Sequence, residues 1–214
     1  MNASVQSVNV GTARPLAGLR RPTGIDKQPV SVIDVRDPGP KQGGLGSGVV
    51  GDAIGSRKHH GGLLQAVYAV AREELDHWGV ELGRQLPDGG FGENLTTIGI
   101  DVDAALIGER WLVGEALLEV TGPRVPCATF AAHMGEPSWV KRFAERGRTG
   151  AYLAVVTSGS IRSGDPIILD HRPDHTFTVP MMFAAWMGDR GLAEQILSAG
   201  ILRPEAQSEL ARRV

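Results

Sequence analysis

Arg110-Trp111-Leu112-Val113-Gly114-Glu115-Ala116-Leu117-Leu118-Glu119-Val120 decides the fold class of this chain. Two short apolar runs, 110–113 and 116–120, flank a Gly-Glu pair, the punctuation of strand, turn and strand. Outward from there, similar runs bordered by glycine or proline recur at 4–10, 30–35, 97–100, 151–157 and 166–169. Residues 4–10 alternate apolar and polar, and 30–35 is a β-branched run entered from Pro29. Glycine supplies 29 of the 214 residues, well above the usual share of about 7%. It clusters at turns such as Gly43-Gly44, Gly61-Gly62 and Gly89-Gly90. These features predict a β-rich, mixed α+β fold. No period of 20–50 residues repeats, which argues against a propeller or solenoid.

Two stretches interrupt the strands. Residues 63–78 place Leu64, Val67, Tyr68, Ala71, Leu75 and Trp78 at three- and four-residue spacing, which predicts a helix. Residues 138–146 predict a second, capped by Ser138. After His171-Arg172-Pro173 the periodicity becomes helical, with short helices expected at 179–187, 192–199 and 204–213, the last with Pro204 in its first turn. The expected organisation is therefore a strand-rich domain over 1–171 and a small three-helix domain over 172–214. Within the latter, Met181, Met182, Phe183, Trp186 and Met187 form an apolar patch expected to pack within the bundle and against the barrel, or in a sharper reading to dock an electron-transfer partner or a second subunit. The glycine-rich segment 37–51 reads as a flexible loop, or in a sharper reading a mobile lid.

A net charge of −2 with no lysine-arginine block gives no electrostatic footprint for nucleic acid or an anionic membrane, and neither partner is expected. No stretch is apolar enough to span a bilayer, and the first residues lack the features of a signal peptide. A single cysteine cannot form an intramolecular disulfide, which fits a reducing compartment such as the cytoplasm.

That cysteine, Cys127, stands in Gly122-Pro123-Arg124-Val125-Pro126-Cys127. Most free cysteines pack as small apolar side chains. Here two prolines fix the backbone and Arg124 brings a permanent positive charge, which favours the thiolate that binds soft metals or attacks electrophiles. Arg57-Lys58-His59-His60-Gly61-Gly62 precedes the expected helix at 63–78, so its glycines and histidines could receive an anion or move protons. Adjacent histidines with one cysteine disfavour a zinc site. Phe91-Gly92-Glu93-Asn94-Leu95-Thr96-Thr97 sets a carboxylate, an amide and hydroxyls at the mouth of a strand. Lys27, His59, Arg124 and Arg148 would form an anion pocket around Cys127 if the fold gathers them.

In order along the chain, Thr23-Gly24-Ile25-Asp26-Lys27-Gln28-Pro29-Val30, Gly51-Asp52, His60-Gly61-Gly62, Ala66-Val67-Tyr68, Phe91-Gly92-Glu93-Asn94-Leu95-Thr96, Ile107-Gly108, Pro123-Arg124-Val125-Pro126-Cys127 and Gly164-Asp165 resemble the MOSC-domain family, named for the C-terminal domain of the molybdenum cofactor sulfurase. The resemblance covers nearly the whole chain and is strongest to the YiiM-like branch, which ends in a small three-helix domain. It implies a MOSC-type β-barrel with flanking helices that binds a molybdenum–pterin cofactor (Moco) through Cys127. It also implies that Lys27, His59 or His60, Asn94 and Arg124 hold the pterin and its phosphate, and that the activity is reduction of N-hydroxylated compounds, including hydroxylamino nucleobases, to amines. That chemistry needs a proton donor, with His60 and Glu93 as the candidates. It also needs an external electron donor or electron-transfer protein, because no nucleotide fingerprint, CxxC pair or iron–sulfur cysteine set is present. Two other readings stay open: a carrier of cofactor or persulfide sulfur on Cys127, and a binding module for a phosphorylated small molecule with Cys127 merely packed.

Overall fold

A computed structural model describes residues 3–56 and 58–214; Arg57, in the basic approach to the paired histidines, lies outside them. The chain runs β1 (Ser4–Gly11), β2 (Lys27–Val30), β3 (Val32–Val35), a 3-10 turn (Leu63–Gln65), β4 (Val67–Ala71), α1 (Arg72–Leu82), β5 (Leu95–Ile98) and a second 3-10 turn (Val102–Ala104). It continues through β6 (Arg110–Val113), β7 (Ala116–Pro123), α2 (Ala128–Met134), α3 (Trp139–Arg146), β8 (Ala151–Thr157), β9 (Gly159–Arg162) and β10 (Ile167–His171), and ends in α4 (Val179–Trp186), α5 (Arg190–Ala199) and α6 (Pro204–Ala211). No helix among the described residues is long and apolar enough to cross a membrane.

Eight strands form one sheet in the order β10-β6-β7-β8-β4-β5-β1-β2, and β3 pairs with β9 separately. The mixed α+β class is as expected, but the barrel is not: β10 and β2 remain edges of an open sheet. Backbone bonds from Val5 to Asp165 (2.9 Å) and from Ile167 to Ala3 (3.0 Å) tie the start of β1 to the start of β10 without a continuous ladder.

The expected helix at 63–78 is half strand. β4 pairs parallel with β5 and antiparallel with β8, and all five of its residues are buried. A strand covered on both faces shows no alternation, so its apolar spacing can mimic a helix. Only after Ala71 does the chain turn helical, with Glu73 and Glu74 in the first turn of α1 and Gly83 closing it at φ 64°. The expected strand at 30–35 is likewise split, since β2 and β3 belong to different sheets. Ser138 does precede α3, but its side chain makes no capping bond and its φ is 55°.

The helices cover the sheet differently. α1, α2 and α3 enclose an aromatic cluster of Trp78, Phe91, Phe130, Trp139 and Phe143, stacked mostly edge to face at 4.6–6.4 Å. The three C-terminal helices form where helical periodicity begins, with Thr178 capping α4 and Asp189 capping α5. Val179, Met182, Ala185, Ile196 and Leu210 join the sheet's own hydrophobic core, so apolar packing is continuous across residue 172. Of the methionine-aromatic patch, Met182 and Phe183 are buried and Met187 is exposed.

The glycine-rich segment 37–51 is tied down along its length. Its backbone bonds run from Gly62 to Gly46 (2.9 Å), from Leu63 to Gly39 (2.9 Å) and from Gly48 to Ala66 (2.8 Å). Gly61 takes φ 82°, and a Cβ there would sit 2.5 Å from the Gly46 carbonyl oxygen. This close approach serves the chain's own loop and fixes the neighbouring His60. Gly61→Ala should therefore destabilise the protein by about 1–3 kcal/mol, read as a lower urea midpoint; an unchanged midpoint would contradict this role for the loop.

Candidate functional site around Cys127

Cys127 follows β7 and stands at the N-cap position of α2, so the strand end, Pro126 and the helix start all fix its backbone. Its sulfur is half-buried and lies 3.9 Å from His60 Nε2. Arg124, three residues earlier, is only 6% exposed. Its guanidinium donates to the Phe91 carbonyl and lies 4.0 Å from the Phe130 ring centroid and 5.0 Å from that of Tyr68. Aromatic faces and a carbonyl thus hold a buried cation close enough to act on the sulfur, without neutralising it. Burial of Cys127 opposes ionisation, but the His60 hydrogen bond and the Arg124 charge outweigh it and bring the thiol down to about 6.

That arrangement has a direct signature. The rate of iodoacetamide alkylation should rise with pH through about 6 and level off above it, because the thiolate is the nucleophile. An ordinary thiol rises near 8.5. His60→Ala should move the midpoint upward; a wild-type midpoint near 8.5 would contradict the pairing.

Lys27, His60, Asn94, Arg124 and Cys127 all line one recess of roughly 100 Å³, together with Asp52. Asp52 is the hub that the residue-type reading missed. It pairs with Lys27, accepts from the Gly11 amide (2.8 Å) and Ser47 hydroxyl (2.9 Å), and accepts from Asn94 Nδ2 (3.2 Å). Asn94 also donates to Asn9 and accepts from the Tyr68 amide, so it braces β1 against β4. Burial lowers the pKa of Lys27, and Asp52 counters this. Tyr68 and Tyr152, packed 5.1 Å apart, complete the wall. The signal for Asp52 was Gly51-Asp52, present among the family blocks but with no chemistry assigned.

Three expected residues are placed elsewhere. Glu93 is fully buried, and its oxygens accept from the Gly89 amide (2.6 Å), the Phe91 amide (2.9 Å) and the Thr96 hydroxyl (2.9 Å). It organises the 89–96 turn and does not line the recess, so of the two candidate residues only His60 faces the site. Arg148 bonds Glu74 and Asp101 and lines neither the recess nor its openings; strong carboxylate partners hold it there. His59 lies in the larger outer groove, beside His60. The expected helix N-terminus behind the histidines is only a 3-10 turn, and its glycines lie close against the 37–51 loop.

The outer groove, roughly 550 Å³, runs from Cys127 and His60 to Trp186, Glu209 and Arg213 at the C-terminal helices. No group of three or more metal-ligating side chains occurs among the described residues. A metal at Cys127 would therefore find fewer than three ligating side chains around it and must bring further ligands with it. A soft, readily ionised thiolate near a buried guanidinium suits such an anionic metal complex, so the residues present fit a molybdenum–pterin group.

This arrangement of strands, with a thiol at the end of β7 and three terminal helices, defines a class. The family model described as MOSC domain matches residues 56–168, and the chain belongs to the MOSC domain family. Within it the chain is a YiiM-like protein. The structure matches the crystal structure of YiiM from Geobacillus stearothermophilus with a TM-score of 0.77 and 26% identity, covering 99% of this chain and 98% of that one. The chain is 31% identical to YflK of Bacillus subtilis over 180 residues, 82% of this chain and 77% of that protein. It is 35% identical over 132 residues to a Gibberella moniliformis protein named Reductase, covering 59% of this chain but 23% of that protein. That family membership supports a molybdenum-cofactor-related function for this chain.

Proposed function

We propose that this chain is a molybdenum-cofactor-dependent reductase of N-hydroxylated compounds, hydroxylamino nucleobases among them, with Cys127 as the protein ligand to the metal. The observation that carries this reading is the half-buried Cys127 sulfur facing His60 Nε2 at 3.9 Å, at the junction of a small recess and a larger groove. The recess alone is smaller than the roughly 300–1,000 Å³ of sites that bury drug-sized ligands, whereas the groove falls within that range. A ligand on the sulfur therefore has room to meet a second molecule.

When bound, the cofactor supplies two-electron redox chemistry and an open position for an oxygen atom. The chain's own residues do the rest. Cys127 holds the metal through a soft donor. Arg124 keeps that donor ionised and offsets the negative charge of the complex. His60 sits where its ring nitrogen can pass a proton to the departing oxygen. Lys27 and Asn94 stay on the recess wall, positioned by Asp52. The overall conversion takes R–NHOH, two electrons and two protons to R–NH2 and water, with the electrons delivered by an external donor or electron-transfer protein. A thiol that must stay free fits a reducing compartment, and we place the reaction in the cytoplasm. The groove beyond the sulfur favours turnover over a carrier role, and the half-exposed thiol argues against a merely packed cysteine.

Protein purified from a cofactor-producing host and supplied with a chemically reduced viologen should convert a hydroxylamino nucleobase to its amine. Fully loaded protein that forms no amine would contradict the assigned activity.

A further inference from the structure

Three cavities meet at His60 and Thr129: the inner recess, the outer groove, and a third opening of roughly 240 Å³. The third is walled by Arg20 and Arg21, with Thr23, Gly55 and Ser56. We propose that it is an anion site that holds a phosphate ester on the molecule bound against Cys127.

The local backbone builds this wall. Paired bonds from Arg14 to Thr23 (3.0 Å) and from Thr23 to Arg14 (2.9 Å) close a hairpin-like loop, and a further bond runs from Leu19 to Leu16 (3.1 Å). Arg20 and Arg21 ride on that loop's return. Gly55 lies against the Pro22 carbonyl, where a Cβ would come within 3.0 Å, so the loop is seated directly on the segment leading to His60.

Charge distribution selects this opening. Its lining contains no carboxylate, and among the described residues neither Arg20 nor Arg21 has a carboxylate within ion-pair distance. Two of the cations expected to bind phosphate are paired with carboxylates, Lys27 with Asp52 and Arg148 with Glu74 and Asp101, and Arg124 is buried against the Phe91 carbonyl and the Phe130 and Tyr68 rings. The outer groove has basic residues too, but Lys41 pairs with Glu209 at 3.4 Å and Arg213 lies 4.5 Å from the Trp186 ring centroid, which leaves Lys58 as a lone ammonium where the third opening has two adjacent guanidinium groups. The two openings thus divide the work around Cys127. Paired guanidinium forks suit a phosphate at one, and a wider, mixed surface suits an organic substrate at the other.

The site itself is independent of the reductase reading; only the identity of the phosphate rests on it. Titration calorimetry of the full chain with inorganic pyrophosphate at low ionic strength tests it, since salt screens exposed charges. Arg20→Gln/Arg21→Gln should weaken binding by about tenfold or more, while Lys58→Gln/Arg213→Gln, which removes two positive charges at the other opening, should change it little. All four residues are exposed, so circular dichroism should show both variants folded. Wild-type protein that does not bind pyrophosphate, equal binding by all three proteins, or equal weakening by both pairs would each overturn the proposal. Pterin retention after gel filtration then separates the sources: parallel loss in Arg20→Gln/Arg21→Gln assigns the phosphate to the cofactor, and unchanged retention with weaker pyrophosphate binding assigns it to the substrate. Wild-type protein that never carries pterin, yet shows the expected calorimetry, leaves the anion site standing and ends the cofactor reading.

Discussion

Cys127→Ser is expected to leave a folded protein whose reductive turnover falls below about a hundredth of wild type. Loss of partners that merely orient a metal ligand costs about 10–100-fold in metal affinity or activity, so loss of the ligand itself should cost more. The substitution nearly conserves volume at a half-buried position, which keeps packing losses small. What changes is the donor. A hydroxyl stays protonated beside His60 and Arg124, whereas the thiol ionises near pH 6. Far-ultraviolet circular dichroism and urea unfolding should match wild type while turnover disappears. Full activity in Cys127→Ser with an added electron donor would remove Cys127 from the chemistry.

Asp52→Ala is expected to produce the largest stability loss of any single change near the recess, about 3–5 kcal/mol, because it strands the buried Lys27 ammonium. Gly11, Ser47 and Asn94 lose an acceptor in the same step. Against a typical total of about 5–15 kcal/mol this is a large share, and the urea midpoint should fall by more than about 1 M. The pH dependence has a definite sign. Burial already lowers the pKa of Lys27, and removing Asp52 lowers it further. The native state then binds fewer protons than the unfolded state, so the variant's stability climbs with pH up to the ordinary lysine range. Its deficit should be smaller at pH 9 than at pH 6. Lys27→Met/Asp52→Leu should recover part of the loss, since no unpaired charge remains. A deficit equal at both pH values would show that the lost acceptors, and not the stranded charge, dominate.

Local pattern predicted much of this fold. The runs at 110–113 and 116–120, the alternation at 4–10 and the three C-terminal helices were legible because period and turn residues agreed. β4 was misread because a strand buried on both faces has no alternation to display. α2 was missed because seven residues directly after Pro126-Cys127 carry too little periodicity. The open sheet was illegible because closure depends on whether β2 and β10 meet, and no local pattern encodes that. The site divides in the same way. Cys127, His60 and Arg124 were readable from side-chain chemistry beside glycine and proline. Glu93 and Arg148 have equally suitable chemistry, but neighbouring amides and carboxylates occupy them. Residue type states what a side chain can do; its partners decide whether it remains available.

The most direct measurement is molybdenum and pterin content of protein purified from a cofactor-producing host, for wild type and Cys127→Ser side by side. The account predicts near-equal molar amounts of molybdenum, pterin and wild-type chain, with molybdenum lost from the folded Cys127→Ser protein. Wild-type protein that carries neither, or a Cys127→Ser variant that retains its full complement of molybdenum, would contradict it.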